Sequence, residues 1–192
     1  FRSAAVVIAA STAGQIMILL IGGTLADRTS RHRMLIVADT IATISQLSMA
    51  YLLLTGQATV PNLAGLMLIT GMAYALHQPS MTGFIPQMVP REKLQAANAL
   101  LGTARNGSLT LGAAGAGILV ATVGVGVTIA IDGISFCISA LLILSLKPKQ
   151  QVTPEAASFF TDLKLGWVEF ISHKWLWTIV LQFSLIIAAL DA

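Results

Sequence analysis

The chain has 192 residues, of which 56% are hydrophobic and only 10% are charged, and its formal net charge is +3. A typical soluble domain has about 25% charged residues, so this composition disfavours a soluble all-α protein, whose helices would need polar faces. The basic residues lie in short segments between apolar runs, and the small net charge does not indicate a nucleic-acid-binding protein.

The apolar runs predict five membrane-spanning helices and the start of a sixth, because about 20 apolar residues cross the ~30 Å hydrocarbon layer of a bilayer. Lys147-Pro148-Lys149 ends the fifth run, since proline and charge stop a membrane helix. The fold class is therefore all-α, a polytopic membrane helical bundle. The predicted spans are 4–25, 34–54, 62–84, 100–122 and 127–146, and the last one starts near residue 174.

The segment after the fifth span differs from the rest. Residues 150–157 are polar and include Pro154, which predicts a linker. Beyond it, Phe160, Leu163 and Trp167 recur at helical spacing and predict an amphipathic helix over 157–172 that lies on the membrane surface. The predicted divisions are a transmembrane part, a linker with its surface helix, and the start of a second transmembrane part, at 1–146, 147–173 and 174–192.

The loops alternate between a basic side and an uncharged side. Nine basic residues fall on one side and only Arg2 on the other, while the turns at 55–61 and 123–126 carry no charge. An excess of lysine and arginine marks the cytoplasmic side of a membrane protein, so the basic loops are predicted to be cytoplasmic. The nine are Arg28, Arg31, Arg33, Arg91, Lys93, Lys147, Lys149, Lys164 and Lys174.

The loop after the first span is the most informative segment, and it reads Gly23-Thr24-Leu25-Ala26-Asp27-Arg28-Thr29-Ser30-Arg31-His32-Arg33. Its simplest interpretation is a topology marker with a surface ion pair worth about 0–1 kcal/mol. The segment also resembles the cytoplasmic signature loop of the major facilitator superfamily, although Ser30 replaces the usual glycine and His32 a usual basic residue. That resemblance implies a conformational latch, which contacts the other half of the transporter, formed by Gly23, Asp27, Arg28, Arg31 and Arg33.

Two further segments are similar to the branch of that superfamily that contains enterobactin and macrolide exporters. Residues 84–100 resemble its loop between the fourth and fifth helices, and 131–136 resemble its sixth helix. The resemblance implies a partial major facilitator fold, in which this chain covers about helices two to seven. The remainder of the protein would then lie outside these 192 residues.

The fourth predicted span carries the glycine-rich run Gly112-Ala113-Ala114-Gly115-Ala116-Gly117. A dinucleotide-binding loop is excluded because no strand precedes the run. Small residues four apart allow helices to approach closely in lipid, so Gly112, Ala116 and Gly117 are predicted to pack against another helix.

Polar residues inside the predicted spans are few, and ionisable groups in a membrane are functional candidates because they are costly there. Asp39 and Arg105 lie near predicted cytoplasmic ends, where bonds to neighbouring loops are favoured. Asp132 can bind protons or cap a neighbouring helix, and His77 can titrate or simply pack. The candidates for a proton or substrate path are Gln15, Gln46, His77 and Asp132.

The sequence contains no enzyme motif and no cysteine–histidine metal cluster, so neither catalysis nor a cofactor or metal is expected. The resemblance implies secondary active export of a drug-like or siderophore-like small molecule by proton-coupled alternating access. Its partners would be the lipid bilayer, the substrate, protons and the remainder of its own chain, in the plasma (inner) membrane. The alternative is a non-transporting membrane scaffold or an inactive homologue.

The orientation can be tested with single cysteines in a Cys137→Ala background. Cysteines near Arg31, Arg91 and Lys149 should react with an impermeant maleimide from the cytoplasm, and those near Gln57 and Gly124 from outside, because of the basic asymmetry. Labelling of positions 31 and 57 from the same side would contradict the assignment of spans.

Overall fold

The computed structural model describes residues 2–148, 168 and 171–190, with side chains described except at 2–4, 19–28, 176 and 184–190. Most of these residues form six α-helices and a 3-10 turn at Arg91–Lys93; residues 168, 171 and 172 are also helical, and none of the described residues is in a β-strand. The predicted linker and nearly all of the predicted surface helix lie outside the described residues. The helices are α1 (Arg2–Arg28), α2 (Arg31–Leu54), α3 (Val60–Met88), α4 (Leu94–Val123), α5 (Val125–Ser145) and α6 (Lys174–Leu190).

Most of the helices in the first unit have the length and composition of membrane spans. Among the described residues, four segments are long and apolar enough to cross a bilayer, namely α2, α3, α4 with its preceding 3-10 turn, and α5. In α1 the apolar stretch Ala5–Ile18 is shorter. The predicted all-α membrane bundle is therefore confirmed. The chain divides into two compact units, Phe1–Val152, which contains α1 to α5, and Thr153–Ala192, which contains α6.

Local sequence determines where the helices begin. Ser30 caps α2, since its hydroxyl accepts a hydrogen bond from the backbone N–H of Arg33, and such caps satisfy amide groups that lack a partner inside the helix. As a result α2 begins at Arg31, three residues before the predicted span. Thr59 caps α3 in the same way, with Pro61 in its first turn. Gly124 separates α4 from α5 with a φ of 85°, a conformation that favours glycine.

The α1 and α3 helices cross where two glycines meet. A Cβ on Gly14 would lie against the backbone carbonyl of Leu68, and a Cβ on Gly71 would lie against that of Ser11. Backbone atoms cannot move aside as a flexible side chain can, so only glycine permits this approach. Close to this crossing, Ile18 packs against a buried cluster formed by Met34, Ala38 and Leu76.

The α2 helix lies between α3 and α5 and has buried residues along most of its length, including Leu35, Ala42 and Ala50. It runs antiparallel to α5: its first turn meets the last turn of α5, and Leu54 near its other end contacts Gly126. The basic beginning of α2 therefore lies at the same end of the bundle as the end of α5. The uncharged turns lie at the opposite end, as the alternation of loops predicts.

The α4 helix has no buried residue in this unit. No heavy atom of a neighbouring described element lies within 4 Å of the position that a Cβ would occupy on Gly112 or Gly117. The described helices thus make no close contact at Gly112 or Gly117, and the packing predicted for Gly112, Ala116 and Gly117 stays a prediction.

The glycine crossing can be tested by adding one methyl group at two positions of α3. Gly71→Ala should destabilise the protein by about 1–3 kcal/mol, because the methyl group overpacks a rigid contact. Gly65→Ala is the matched control, since nothing lies within 4 Å of a Cβ there. Thermal unfolding of the detergent-solubilised protein measures the difference, and equal melting temperatures for the two variants would show that the crossing tolerates the methyl group.

Candidate intramembrane polar site

Three polar side chains, seven residues apart in sequence, form a stripe on α2 that faces α5. A spacing of seven residues is close to two helical turns, which keeps all three on one face. We call His32, Asp39 and Gln46 the polar stripe. Its contacts with α5 are His32 Nε2 to the Ile143 carbonyl oxygen at 2.7 Å, the Ser139 hydroxyl to Asp39 Oδ2 at 2.5 Å, and Gln46 Nε2 to Asp132 Oδ2 at 2.6 Å.

Asp39, at the centre of the stripe, is the most buried of the three stripe residues. Asp39 is only 1% exposed, and each of its carboxylate oxygens has a partner on a different helix. Oδ2 accepts the hydrogen bond from Ser139 on α5, and Oδ1 lies 3.4 Å from Nε2 of His77 on α3. Burying a carboxylate is expensive unless hydrogen bonds and an opposite charge compensate. Asp39 therefore joins α2, α3 and α5 at one point.

The expectation that Asp39 bonds neighbouring loops is wrong. The Ser30 cap moves the beginning of α2 back to Arg31, so Asp39 lies eight residues inside the helix, about 12 Å along its axis. At that depth its neighbours are other helices. The spacing of His32, Asp39 and Gln46 by seven was the sequence signal that could have indicated a shared face, but it does not identify the partners on α3 and α5.

Two of the four predicted path residues form a direct contact. Gln46 donates to the carboxylate of Asp132, and Gly133 beside it is buried against Leu47 and Gln46. His77 contacts Asp39 instead, and Gln15 is half-buried on α1, a helix that contributes no partner to the polar stripe among the described residues. The assignment of these four residues to a proton or substrate path stays a prediction.

Hydroxyl groups add a second polar connection between α2 and α3. The buried hydroxyl of Ser45 donates to the carbonyl oxygen of Leu66 at 2.7 Å, and the Thr70 hydroxyl donates to the Ser45 oxygen at 3.0 Å. In lipid, where apolar surfaces gain little from meeting each other, such interhelical hydrogen bonds and close packing hold helices together. The α2–α3 contact is therefore fastened at Ser45 as well as at Asp39.

Of the predicted latch residues, Arg31 is the best defined. Its guanidinium Nη1 donates to the carbonyl oxygen of Pro79 at 3.1 Å, and its side chain occupies the place where a Cβ of Gly83 would lie. Arg33 is exposed. Gly23, Asp27 and Arg28 belong to α1, but their side chains lie outside the described part of the chain. Arg31 thus contacts α3 of its own unit, and a latch to another half stays a prediction.

A groove of about 700 Å³ lies between α2 and α3, towards the end that carries the uncharged turns. Its lining includes Tyr51, Pro61 and Asn62 and contains no member of the polar stripe. Among the described residues, no group of three or more histidine, cysteine, aspartate or glutamate side chains could hold a metal ion.

The first unit is thus a bundle of apolar helices fastened by interior polar contacts, which defines a multi-pass membrane protein. The sequence profile of the Major Facilitator Superfamily matches residues 1–192, so the chain belongs to this family of membrane transporters, which is not a family of enzymes. No curated protein and no solved structure matches the chain.

The role of Ser139 can be separated from that of a nearby serine on the same helix. Ser139→Ala removes a donor to a buried carboxylate and should lower the free energy of unfolding by about 1–2 kcal/mol. Ser135→Ala, the matched control, removes only an exposed bond to the Asp132 backbone carbonyl and should change stability by less than about 0.5 kcal/mol. Unfolding of the purified protein in mixed micelles measures both values, and equal losses would argue against the contact with Asp39.

Proposed function

We propose that the protein is a secondary active transporter that exports a small molecule by proton-coupled alternating access. The observation that carries the proposal is its membership of the Major Facilitator Superfamily over residues 1–192. In such folds two bundles rock about a central site, so that the site opens to each side of the membrane in turn.

The interior polar contacts support proton coupling. Asp39, His77 and Asp132 lie within helices that have the length of membrane spans, where ionisable side chains are costly and usually functional. Asp39 is joined to His77 and Ser139, while Asp132 is joined to Gln46. A proton that binds or leaves such a group changes the free energy of the helix contacts around it, which is the requirement for coupling a proton gradient to a conformational change.

The chemical class of substrate follows from the resemblance to the enterobactin and macrolide exporters. Residues 84–100 and 131–136 carry that resemblance and support a drug-like or siderophore-like compound. We place the protein in the plasma (inner) membrane with its basic loops in the cytoplasm. The first turn of α2 and the last turn of α5 lie at the same end of the bundle. Both are next to basic residues, which supports that orientation.

Transport can be tested with the intact protein in everted membrane vesicles that are acidified inside. A radiolabelled macrolide and a catecholate siderophore serve as probes, because they represent the two compound classes. A proton-coupled exporter should accumulate at least one of them inside the vesicles, and a protonophore should abolish the accumulation. Correctly folded protein that moves neither probe under any gradient would favour a scaffold or an inactive homologue.

The proposed latch gives a prediction for transport. Asp27→Asn keeps the shape of the side chain but removes its charge, and it should reduce transport about tenfold if the latch contributes about 1.4 kcal/mol to the balance between two states. Expression and membrane insertion should not change. Glu92→Gln is the matched control, since it neutralises an exposed acidic residue on the turn before α4. Normal transport by Asp27→Asn at normal abundance would rule out the latch.

A further inference from the structure

The contact between Asp39, His77 and Ser139 has an unusual balance of charge. The Asp39 side chain is 2% exposed, whereas that of His77 is 30% exposed. Ser139 provides a neutral hydrogen bond to one carboxylate oxygen, but only a protonated His77 can supply a positive charge to the other. The net charge of the cluster therefore depends on whether a proton is present.

No other ionisable group compensates Asp39 among the described side chains. Arg31 and His32 bind the backbone carbonyls of Pro79 and Ile143, and Asp132 is bound by Gln46. Arg33, Tyr51, Tyr74 and Cys137 are exposed, and Ala5–Ile18 of α1 contains no ionisable residue. None of these groups is hydrogen-bonded or ion-paired to Asp39, so His77 is its one partner among the described side chains that can carry a positive charge.

We propose that Asp39, His77 and Ser139 form a proton-binding site, in which one proton held by the imidazole of His77 beside the Asp39 carboxylate fastens α3 to α2. With the proton bound, the pair is neutral overall, and Nε2 of His77 faces Oδ1 while Ser139 donates to Oδ2. Any role in transport rests on the proposed function, whereas the binding of the proton does not.

Of the two ionisable groups, the imidazole is the more accessible, since 30% of its side chain is exposed against 2% for Asp39. When the proton leaves the imidazole, the carboxylate keeps a full negative charge at a buried position. Ser139 still donates to it, so α5 stays joined to α2, but the attraction for α3 weakens. Loss of one proton should therefore loosen the α2–α3 contact selectively, because an unbalanced buried charge is costly.

Melting temperature as a function of pH tests the site in the intact, detergent-solubilised protein. Between about pH 6 and about pH 9, the melting temperature of the wild type should fall by roughly 2–8 °C. The loss follows from removing a proton that balances the buried carboxylate. Asp39→Asn should lack this part of the pH dependence, since an amide has no charge to balance.

Glu92→Gln is the control, because it neutralises an exposed carboxylate on the turn before α4 and should keep the wild-type pH dependence. If Asp39→Asn does not fold, His77→Gln carries the test. Glutamine can still donate a hydrogen bond to Asp39 but cannot bind a proton in this range, so the loss above pH 6 should disappear. Wild-type pH dependence in Asp39→Asn or in His77→Gln would overturn the proposal.

The outcome is independent of the transport assay. A protein that shows the expected pH dependence but no proton-driven transport has the proton site without the proposed function. A transporter whose melting temperature has the same pH dependence in the wild type and in both cluster variants uses another proton site.

Discussion

The first unit depends on α2, because this helix carries the polar contacts that hold three helices together. Inside a bilayer the hydrophobic effect does not drive helices to associate, so such contacts and close packing must do so. Its polar stripe faces α5, and Ser45 and Asp39 reach α3. The small buried residues Ala38 and Ala42 lie between these polar groups along the helix. They let the neighbouring helices come close enough for short side chains to bond. Close packing and polar bonding thus support each other along one helix.

This arrangement accounts for the burial of a carboxylate in an otherwise apolar bundle. An unpaired Asp39 would be strongly destabilising, and its two partners come from two other helices, α3 and α5. With both partners in place, Asp39 instead fixes the relative positions of α2, α3 and α5.

The sequence was sufficient to predict the class of fold and the order of the helices, because long apolar runs and basic loops are local signals. It was not sufficient to pair Asp39 with Ser139, one hundred positions away, because periodicity defines a face but not the helix that covers it. The same limit explains the glycines. The run from Gly112 to Gly117 is conspicuous in sequence, yet the close crossing in the described unit is formed by Gly14 and Gly71, which lie apart from other glycines. The spacing of small residues in the sequence shows where another helix could come close. Only the tertiary structure shows at which of these positions a close contact is formed.

The crossing of α1 and α3 also constrains how these two helices can move. Gly14 lies near the middle of a 27-residue helix and Gly71 near the middle of a 29-residue helix. Backbone touches backbone there, so sliding one helix along the other would drive side chains into main-chain atoms, whereas a change in crossing angle keeps the contact. The contact at Gly14 and Gly71 can therefore act as a pivot between α1 and α3. A larger crossing angle would then separate the ends of the two helices at both faces of the membrane at once, without bending either helix.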